Sequence, residues 1–411
     1  MIIPASKALI YLNLNIRIRN KKKIGLVLSG GGIKAAAYHM GVCLALKAKG
    51  FHFAGGSKKL LKNKKRPDLT IQLYVGSSAG AFVSTVLAAG YPIEALITAF
   101  QVGLGVSPEY SNQDFRILTP LTYRRIFDIN SASLLNFMPK QFLTKSLVTG
   151  GLEMLIKNGF KVNGLFTTKG VEKYLRQYVL IENDFASLDP ELYIVATQLN
   201  HSRKVIFGNF QENLQTPSTK QINYASISEA VAASTSLPPI FSPYNLPNLK
   251  GEERYYYDGE IRETLSAHIA ADQGCDLVIS SFSMQPYHYN DEIGSLHKYG
   301  IPVILNQALY QVLEQKTHKH IEWQNTLRHI HKTIDTYFKS NNLPDEDRVR
   351  LLEIFNQRFN HNSETDYIHI TPRPQNYEMF MVDHFSLSPK ILERIVRIGF
   401  KSGINALRKH L

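Results

Sequence analysis

The clearest candidate for chemistry in this sequence is the segment Gly76-Ser77-Ser78-Ala79-Gly80. It follows an alternating apolar stretch over 69–75, which predicts a strand, and precedes a small, apolar run over 79–89, which predicts a helix. In a Gly-x-Ser-x-Gly turn between a strand and a helix, the tight backbone exposes the serine hydroxyl and glycines on both sides make room for it. Ser78 is therefore a candidate nucleophile. The plainer alternative is a Gly/Ser turn without chemistry.

A second candidate is the run Gly30-Gly31-Gly32, which follows an apolar strand-like stretch over 24–29 and precedes an alanine-rich helix start. Three glycines let backbone N–H groups converge, and the helix N-terminus adds its positive dipole end. Such a loop can hold a phosphate or the oxyanion of an acyl-transfer intermediate. Neither the P-loop nor the dinucleotide pattern is present, so the oxyanion is favoured. Ser78 comes 46 residues after Gly32, which suits one strand–helix–strand unit and places both at the carboxyl ends of neighbouring parallel strands.

The third candidate is Asp258, which with Gly259 ends the aromatic, strand-like run 255–257. A serine hydroxyl needs a base to take its proton, and a desolvated, closely placed aspartate can serve. The alternative for Asp-Gly is an ordinary turn. Glu260 follows, and its carboxylate either raises the pKa of Asp258 by like-charge repulsion or points to solvent. The second is the favoured expectation.

Taken together, these segments resemble the patatin-like phospholipase family. Its signature is a Gly-Gly-Gly-x-[Arg/Lys] loop, a Gly-x-Ser-x-Gly elbow and a later Asp-Gly, and this chain carries Gly30 to Lys34, Gly76 to Gly80 and Asp258-Gly259 in that order. The likeness extends over about residues 24–285. It includes the first helix, an Ala-Ser-x-x-x-Pro segment over 233–238 and a strand over 276–280. One departure is Ala35, where the family usually has glycine.

The resemblance implies an α/β protein with a three-layer α/β/α patatin-like fold, a mostly parallel central sheet, a cap-like insertion and a helical C-terminal extension. It implies a serine lipid acyl hydrolase of the phospholipase A or lysophospholipase type, acting on phospholipid without metal or cofactor. Ser78 would be the nucleophile and Asp258 the base. The other implied site residues are the oxyanion-hole set Gly30, Gly31, Gly32, Lys34 and Ala79, and the motif glycines Gly76, Gly80 and Gly259.

The sequence divides into a basic lead over 1–23, a catalytic domain over 24–290 and a mainly helical region over 291–411. A proline-containing, apolar insertion over about 101–165 is interpreted as a lid or, nearly as readily, an added surface layer. No signal peptide or membrane-spanning run is apparent, and Cys43 and Cys275 are expected to be buried, reduced thiols. The expected location is cytoplasmic or peripheral to a membrane.

Net charge is +13, and basic residues cluster at Lys21–Lys23 and between Lys58 and Arg66. These clusters suit either an anionic membrane surface or a solvated loop. Nucleic-acid binding lacks a recognisable motif. The last predicted helix, which opens at Ser388-Pro389, is expected to pack in the core, with a membrane-contact role as the alternative.

Two other functions stay open. One is an α/β-hydrolase esterase with a Ser-Asp-His triad, for which His268 or His384 would supply the histidine. The other is a membrane-binding scaffold with a dead site. Relatives that need a protein activator are known in the family, and the sequence leaves room for one here.

Overall fold

The computed structural model describes residues 18–61, 65–103, 118–129, 163–359, 365–408 and 410. Most of the predicted insertion and of the basic lead lies outside these residues, so the lid interpretation stays a prediction. In the described part of the chain, no helix has both the length and the apolar character needed to cross a membrane.

The core of the molecule is a ten-stranded sheet. Its strands are β1 Ile24–Leu28, β2 His52–Phe53, β3 Thr70–Ser77, β6 Glu191–Gln198, β7 Arg203–Phe207, β8 Thr219–Ile222, β9 Tyr244–Asn245, β10 Tyr255–Asp258, β11 Leu277–Ser281 and β12 Asp366–Ile370. A separate two-stranded ribbon joins β4 Asp128–Ile129 to β5 Phe166–Thr167. The main path runs β12-β11-β1-β3-β6-β10-β9.

Strands β12, β11, β1, β3 and β6 are parallel neighbours. Strands β7 and β10 run antiparallel to β6. The central strands read as nearly continuous apolar runs, as expected of strands buried on both faces. The α/β class with a mostly parallel sheet is confirmed.

The helices cover both faces of the sheet. They are α1 Gly32–Ala48, α2 Lys58–Leu61, α3 Ala79–Ala88, α4 Ile93–Ala99, α5 Tyr123–Ile126, α6 Lys169–Tyr174, α7 Ile227–Ser234, α8 Ala267–Asp272, α9 Ile301–Ser340, α10 Asp345–Phe359, α11 Glu378–Met381 and α12 Pro389–Leu407. A π-helical turn, Leu175–Val179, continues α6, and 3₁₀ turns cover Ile18–Asn20, Phe185–Ser187, Gly259–Ile261 and Leu296–Tyr299.

One face of the sheet packs against α1, α3, α7 and α12 in a single large apolar core. The opposite face packs against α8 through a smaller cluster that includes Val27, Val75 and Ala270. These two helical layers with the sheet between them give the expected α/β/α arrangement.

The C-terminal region takes part in this architecture. Strand β12 pairs with β11 in parallel, and α12 lies directly on α1. The two helices approach so closely that a Cβ atom on Gly399 would lie 2.1 Å from the Tyr38 carbonyl oxygen. Ile395 and Val396 of α12 are buried, so the last helix is a core helix, as expected.

Candidate active site

Ser78 lies at the junction of β3 and α3, in the backbone conformation of a nucleophile elbow. Its φ of 52° and ψ of −121° define a backbone conformation that residues other than glycine rarely adopt. Such strain persists only where the surroundings impose it. The elbow is pinned by a hydrogen bond of 2.8 Å from the Ser78 N–H to the Ser234 hydroxyl of α7.

The three motif glycines are needed because neighbouring backbone comes very close. A Cβ atom would lie 2.5 Å from Ala81 Cα at Gly76, 2.1 Å from the Leu28 carbonyl oxygen at Gly80, and 2.3 Å from the Val195 carbonyl oxygen at Gly259. A side chain at Gly76 would distort the elbow itself. One at Gly80 would push α3 away from β1, and one at Gly259 would push the Asp-Gly turn away from β6.

Strand β6 brings the predicted nucleophile and base together. Val195 is the partner of Ser77 at the end of β3, and the next residue, Ala196, is the partner of Asp258 at the end of β10. Because β10 runs antiparallel to β6 while β3 runs parallel to it, the two strand ends meet head to head. The Ser78 hydroxyl lies near the Asp258 carboxyl group, close enough to stabilise its ionised form.

Asp258 is almost completely buried, and burial raises its pKa to about 6. The nearby Ser78 hydroxyl and the hydrogen bond from the Glu260 N–H act in the opposite direction, because both stabilise the carboxylate. The Glu260 N–H donates to Asp258 Oδ1 over 2.9 Å. A carboxylate with a raised pKa beside a serine hydroxyl is suited to accept its proton near neutral pH.

The glycine loop lies beside this pair, with Gly31 at φ 128° and Gly32 at φ 73°. A Cβ atom on Gly30 would lie 2.9 Å from Ser78 Cβ. Among the described residues, no acceptor receives the N–H groups of Gly31, Gly32 or Ala79. These three amides are therefore available to an oxyanion.

The Gly30 N–H is already engaged, because it donates to Glu260 Oε1 over 2.7 Å. Glu260 is thus buried and does not point to solvent, contrary to the sequence expectation. Burial raises its pKa to about 8, with a further contribution from the charge of Asp258. The Ser77 hydroxyl lies near this carboxyl and opposes the shift, although its geometry is too poor to count as a hydrogen bond.

Lys34 also differs from its expected place in the oxyanion hole. Its N–H donates to the His384 carbonyl oxygen over 3.2 Å. Its ammonium donates to the Val382 carbonyl oxygen over 3.2 Å and to the Tyr310 hydroxyl over 3.4 Å. Burial lowers the pKa of Lys34 to about 7. Of the predicted oxyanion-hole residues, Gly31, Gly32 and Ala79 keep backbone N–H groups that are available as donors.

Several supporting residues were missed by sequence reasoning. Ser234 donates to the Val195 carbonyl oxygen over 2.6 Å while it accepts the Ser78 N–H. The imidazole of His39 lies 2.8 Å from both the Ser29 carbonyl oxygen and the Ser281 hydroxyl. A carbonyl only accepts, so Nε2 carries the proton. The Ala-Ser segment before Pro238 was the signal for Ser234. Nothing local in the sequence marked His39.

An apolar cavity of about 80 Å³ opens beside Ser78. Its lining includes Phe82, Phe100, Phe127, Phe241 and Phe385. Phe127 stacks on Phe241 and meets Phe385 edge-on, with centroids 5.3 and 5.7 Å apart respectively. The C-terminal region therefore supplies one wall of this cavity.

Neither candidate histidine of a triad contacts Ser78 or Asp258. The His268 ring lies 2.8 Å from the Lys204 ammonium and 3.0 Å from the Glu263 carboxylate. The His384 ring contacts the Tyr310 hydroxyl at 2.5 Å. Both imidazoles are committed to other partners.

The sequence matches the family model of patatin-like phospholipases over residues 26–271, more than half of the chain. No curated protein matches it. Among solved structures, human GIVD cytosolic phospholipase A2 is similar over 94% of this chain at 13% identity and a TM-score of 0.33, and this chain spans 60% of that enzyme's length. That likeness is too weak to support an argument. The family match, with a serine elbow, a glycine loop and a buried Asp-Gly on one sheet edge, means that this chain belongs to the patatin-like phospholipase family.

Proposed function

We propose that this protein is a serine lipid acyl hydrolase that cleaves fatty-acyl esters of glycerophospholipids through Ser78 and Asp258. The observation that carries the proposal is the placement of the Ser78 hydroxyl near the buried Asp258 carboxyl group, beside amides that no acceptor among the described residues receives. Nucleophile, base and oxyanion donors must lie within reach of one reacting carbonyl, and this arrangement meets that requirement.

In the proposed reaction, Ser78 Oγ attacks the ester carbonyl carbon as its proton moves to the Asp258 carboxylate. The negative charge that develops on the carbonyl oxygen is stabilised by the N–H groups of Gly31, Gly32 and Ala79. Collapse breaks the ester C–O bond, and Asp258 returns the proton to the departing lysolipid alkoxide. Water, deprotonated by Asp258, then attacks the acyl-serine, and the proton returns to Ser78 as the fatty acid leaves.

The aromatic cavity suits a fatty-acyl chain, because its lining offers almost only apolar surface. Its volume of about 80 Å³ is far below the roughly 300 to 1,000 Å³ of ligand pockets in general. A cavity of this size holds only part of a long acyl chain. We place the site of action at a membrane surface, with the protein cytoplasmic or peripherally bound.

The first test is release of free fatty acid from mixed phosphatidylcholine/phosphatidylglycerol liposomes by the wild type, Ser78→Ala and Asp258→Asn. We expect both variants to lose at least about a thousandfold in rate, as is usual when a nucleophile or its base is removed. Ser84→Ala is the matched control, because Ser84 is a buried serine in the helix that follows Ser78 and its hydroxyl has no partner in the described structure. Retained activity in Ser78→Ala would overturn the assignment.

If the wild type itself releases nothing, the assay is repeated with added eukaryotic cell extract. Release that appears with extract and depends on Ser78 would support an enzyme that needs an activator. Vesicle binding without release under any condition would instead support the dead scaffold.

A further inference from the structure

The basic clusters expected to face a membrane lie at the wrong edge of the sheet. Lys21–Lys23 directly precede β1, and the basic loop that begins at Lys58 precedes β3, whereas Ser78 follows the far end of β3. Part of this charge is also neutralised, since Lys59 pairs with Glu182 and Arg66 pairs with Asp189. A bilayer bound at this edge would leave the nucleophile on the far side.

The first turns of α9 lie at the edge that carries Ser78. The Tyr310 hydroxyl contacts the His384 ring, and the His384 carbonyl oxygen accepts the N–H of Lys34, just after the glycine loop. One turn earlier, Gln307 accepts the N–H of Tyr287, in the segment that follows β11. The start of α9 is thus fixed beside the candidate active site.

The outward side of these turns is apolar. Ile301, Leu305, Leu309 and Val312 are 72%, 64%, 52% and 49% exposed, and we call these four residues the apolar stripe. At 3.6 residues per turn they fall within about 80° of the helix circumference and span about 16 Å along its axis. The inward side is buried through Tyr310 and Leu313, so the stripe is not needed for folding against the body.

Charge around the stripe complements an anionic lipid surface. Residues 299–313 contain no charged side chain. Exposed lysines border the stripe, Lys298 before it and Lys316 and Lys319 after it. The nearest acid in the helix, Glu314, is half-buried and accepts a hydrogen bond from Gln285. An apolar helix face bordered by lysines is the pattern of helices that insert into the headgroup region.

We propose that the apolar stripe of α9 docks this protein on phospholipid bilayers that contain anionic lipid, and so presents the Ser78 edge to its substrate. The inference deepens the proposed function and rests on it. The proposal assigns membrane contact to α9. It excludes α12, because the apolar side of α12 is buried against α1.

The test measures binding separately from catalysis, in a Ser78→Ala background that leaves the lipid intact. Co-sedimentation with 3:1 phosphatidylcholine/phosphatidylglycerol vesicles compares that protein with versions that also carry Leu305→Ser and Leu309→Ser. We expect the double substitution to weaken partitioning about tenfold or more, because two leucines leave the lipid. The matched control is Leu351→Ser with Ile354→Ser on α10, which are 42% and 54% exposed and should change nothing. Equal binding by all three proteins, or equal loss in stripe and control, would overturn the proposal.

A second readout uses a polarity-sensitive thiol label at Leu305→Cys, with Leu351→Cys as its control. Cys43 and Cys275 are both buried, so the engineered thiol is labelled selectively. We expect a blue shift on vesicle addition at position 305 only. A label at 305 that is already in an apolar environment without vesicles would mean that another protein surface covers the stripe, and would also overturn the proposal. Because neither readout needs lipid hydrolysis, failure of the proposed activity would leave the docking result interpretable.

Discussion

Burial raises the pKa values of two neighbouring carboxyl groups in the candidate site, and the charge of Asp258 raises that of Glu260 further. Asp258 has a pKa of about 6 and Glu260 of about 8. Near pH 7 Asp258 is therefore ionised and able to act as a base, while Glu260 is protonated and accepts the Gly30 N–H through its carbonyl oxygen. Carboxyl pairs with separated pKa values divide the roles of acid and base in many enzymes. Here the division leaves a single negative charge beside Ser78.

Glu260→Gln should remove a pH dependence of stability, because glutamine keeps an acceptor for the Gly30 N–H and cannot ionise. In the folded wild type Glu260 holds its proton up to about pH 8, whereas the unfolded chain releases it near the ordinary value of 4.5. Between these values the folded state binds more protons, so stability falls as pH rises. We expect thermal unfolding of variant and wild type to coincide near pH 5, and the variant to be the more stable by several degrees near pH 8.

Glu260→Ala is the control, because it also cannot ionise but leaves the Gly30 N–H without its acceptor. Its activity toward a short-chain ester at pH 7 should fall about tenfold or more, while Glu260→Gln stays within a few-fold of the wild type. If the difference in unfolding temperature between the wild type and Glu260→Gln is the same at pH 5 and pH 8, the raised pKa of Glu260 is contradicted.

The sequence identified the candidate nucleophile and base but not their surroundings. Ser78 and Asp258 were predictable because an elbow and an Asp-Gly turn have local signatures. Glu260 and Lys34 were placed wrongly, toward solvent and toward the oxyanion. Their partners, Gly30 and His384, are 230 and 350 residues away. Local spacing carries no information about contacts of that range.

At the scale of elements, α7 and β6 hold the elbow through one hydroxyl. Ser234→Ala removes both the acceptor of the Ser78 N–H and the donor to the Val195 carbonyl oxygen. Two buried backbone groups would lose their partner, which costs about 1–3 kcal/mol each in stability. We expect lower thermal stability and a fall in kcat for a short-chain ester, with little change in KM, because Ser78 loses its fixed position.

Ser228→Ala is the comparison for Ser234→Ala. Ser228 is equally buried in α7, but its hydroxyl donates to Glu172, away from the elbow. It should lose stability with kcat nearly unchanged. Parallel losses of kcat in both variants would mean that α7 acts only through general stability.

The strands themselves were predictable, and their register was not. The sequence indicated β10 as a strand, yet nothing in it showed that Val195 would pair with Ser77 and Ala196 with Asp258. That register results from a parallel and an antiparallel neighbour sharing one side of β6. It decides the distance between the candidate nucleophile and the candidate base, so their juxtaposition is a product of sheet topology.

At the scale of the whole molecule, the C-terminal region completes both the sheet and the site. The family match ends at residue 271, but β12 extends the sheet beyond β11 and Phe385 lines the cavity beside Ser78. The mainly helical character of this region was predicted, and α12 begins at Pro389, where the sequence placed the last helix. That β12 joins the central sheet depends on long-range pairing, which periodicity does not reveal.

Because α12 packs on α1, we predict that a substitution in α12 disturbs the glycine loop, although the two are far apart in the sequence. In Gly399→Val the new Cβ atom would lie 2.1 Å from the Tyr38 carbonyl oxygen, so α12 must move away from α1. Because α1 begins at Gly32, its displacement shifts a candidate oxyanion donor. Overpacking of a buried contact typically costs about 1–3 kcal/mol. We expect a lower unfolding temperature and reduced short-chain ester hydrolysis together.

Lys401→Val separates this contact from the lower helix propensity of valine. Position 401 is an exposed site on the same helix, so the substitution adds the same side chain without touching α1. It should leave activity unchanged and lower stability only by the small propensity difference. If both variants lose activity alike, α12 does not act through its contact with α1. If Gly399→Val is as stable and active as the wild type, the two helices are not locked together and the C-terminal region is dispensable for the geometry of the site.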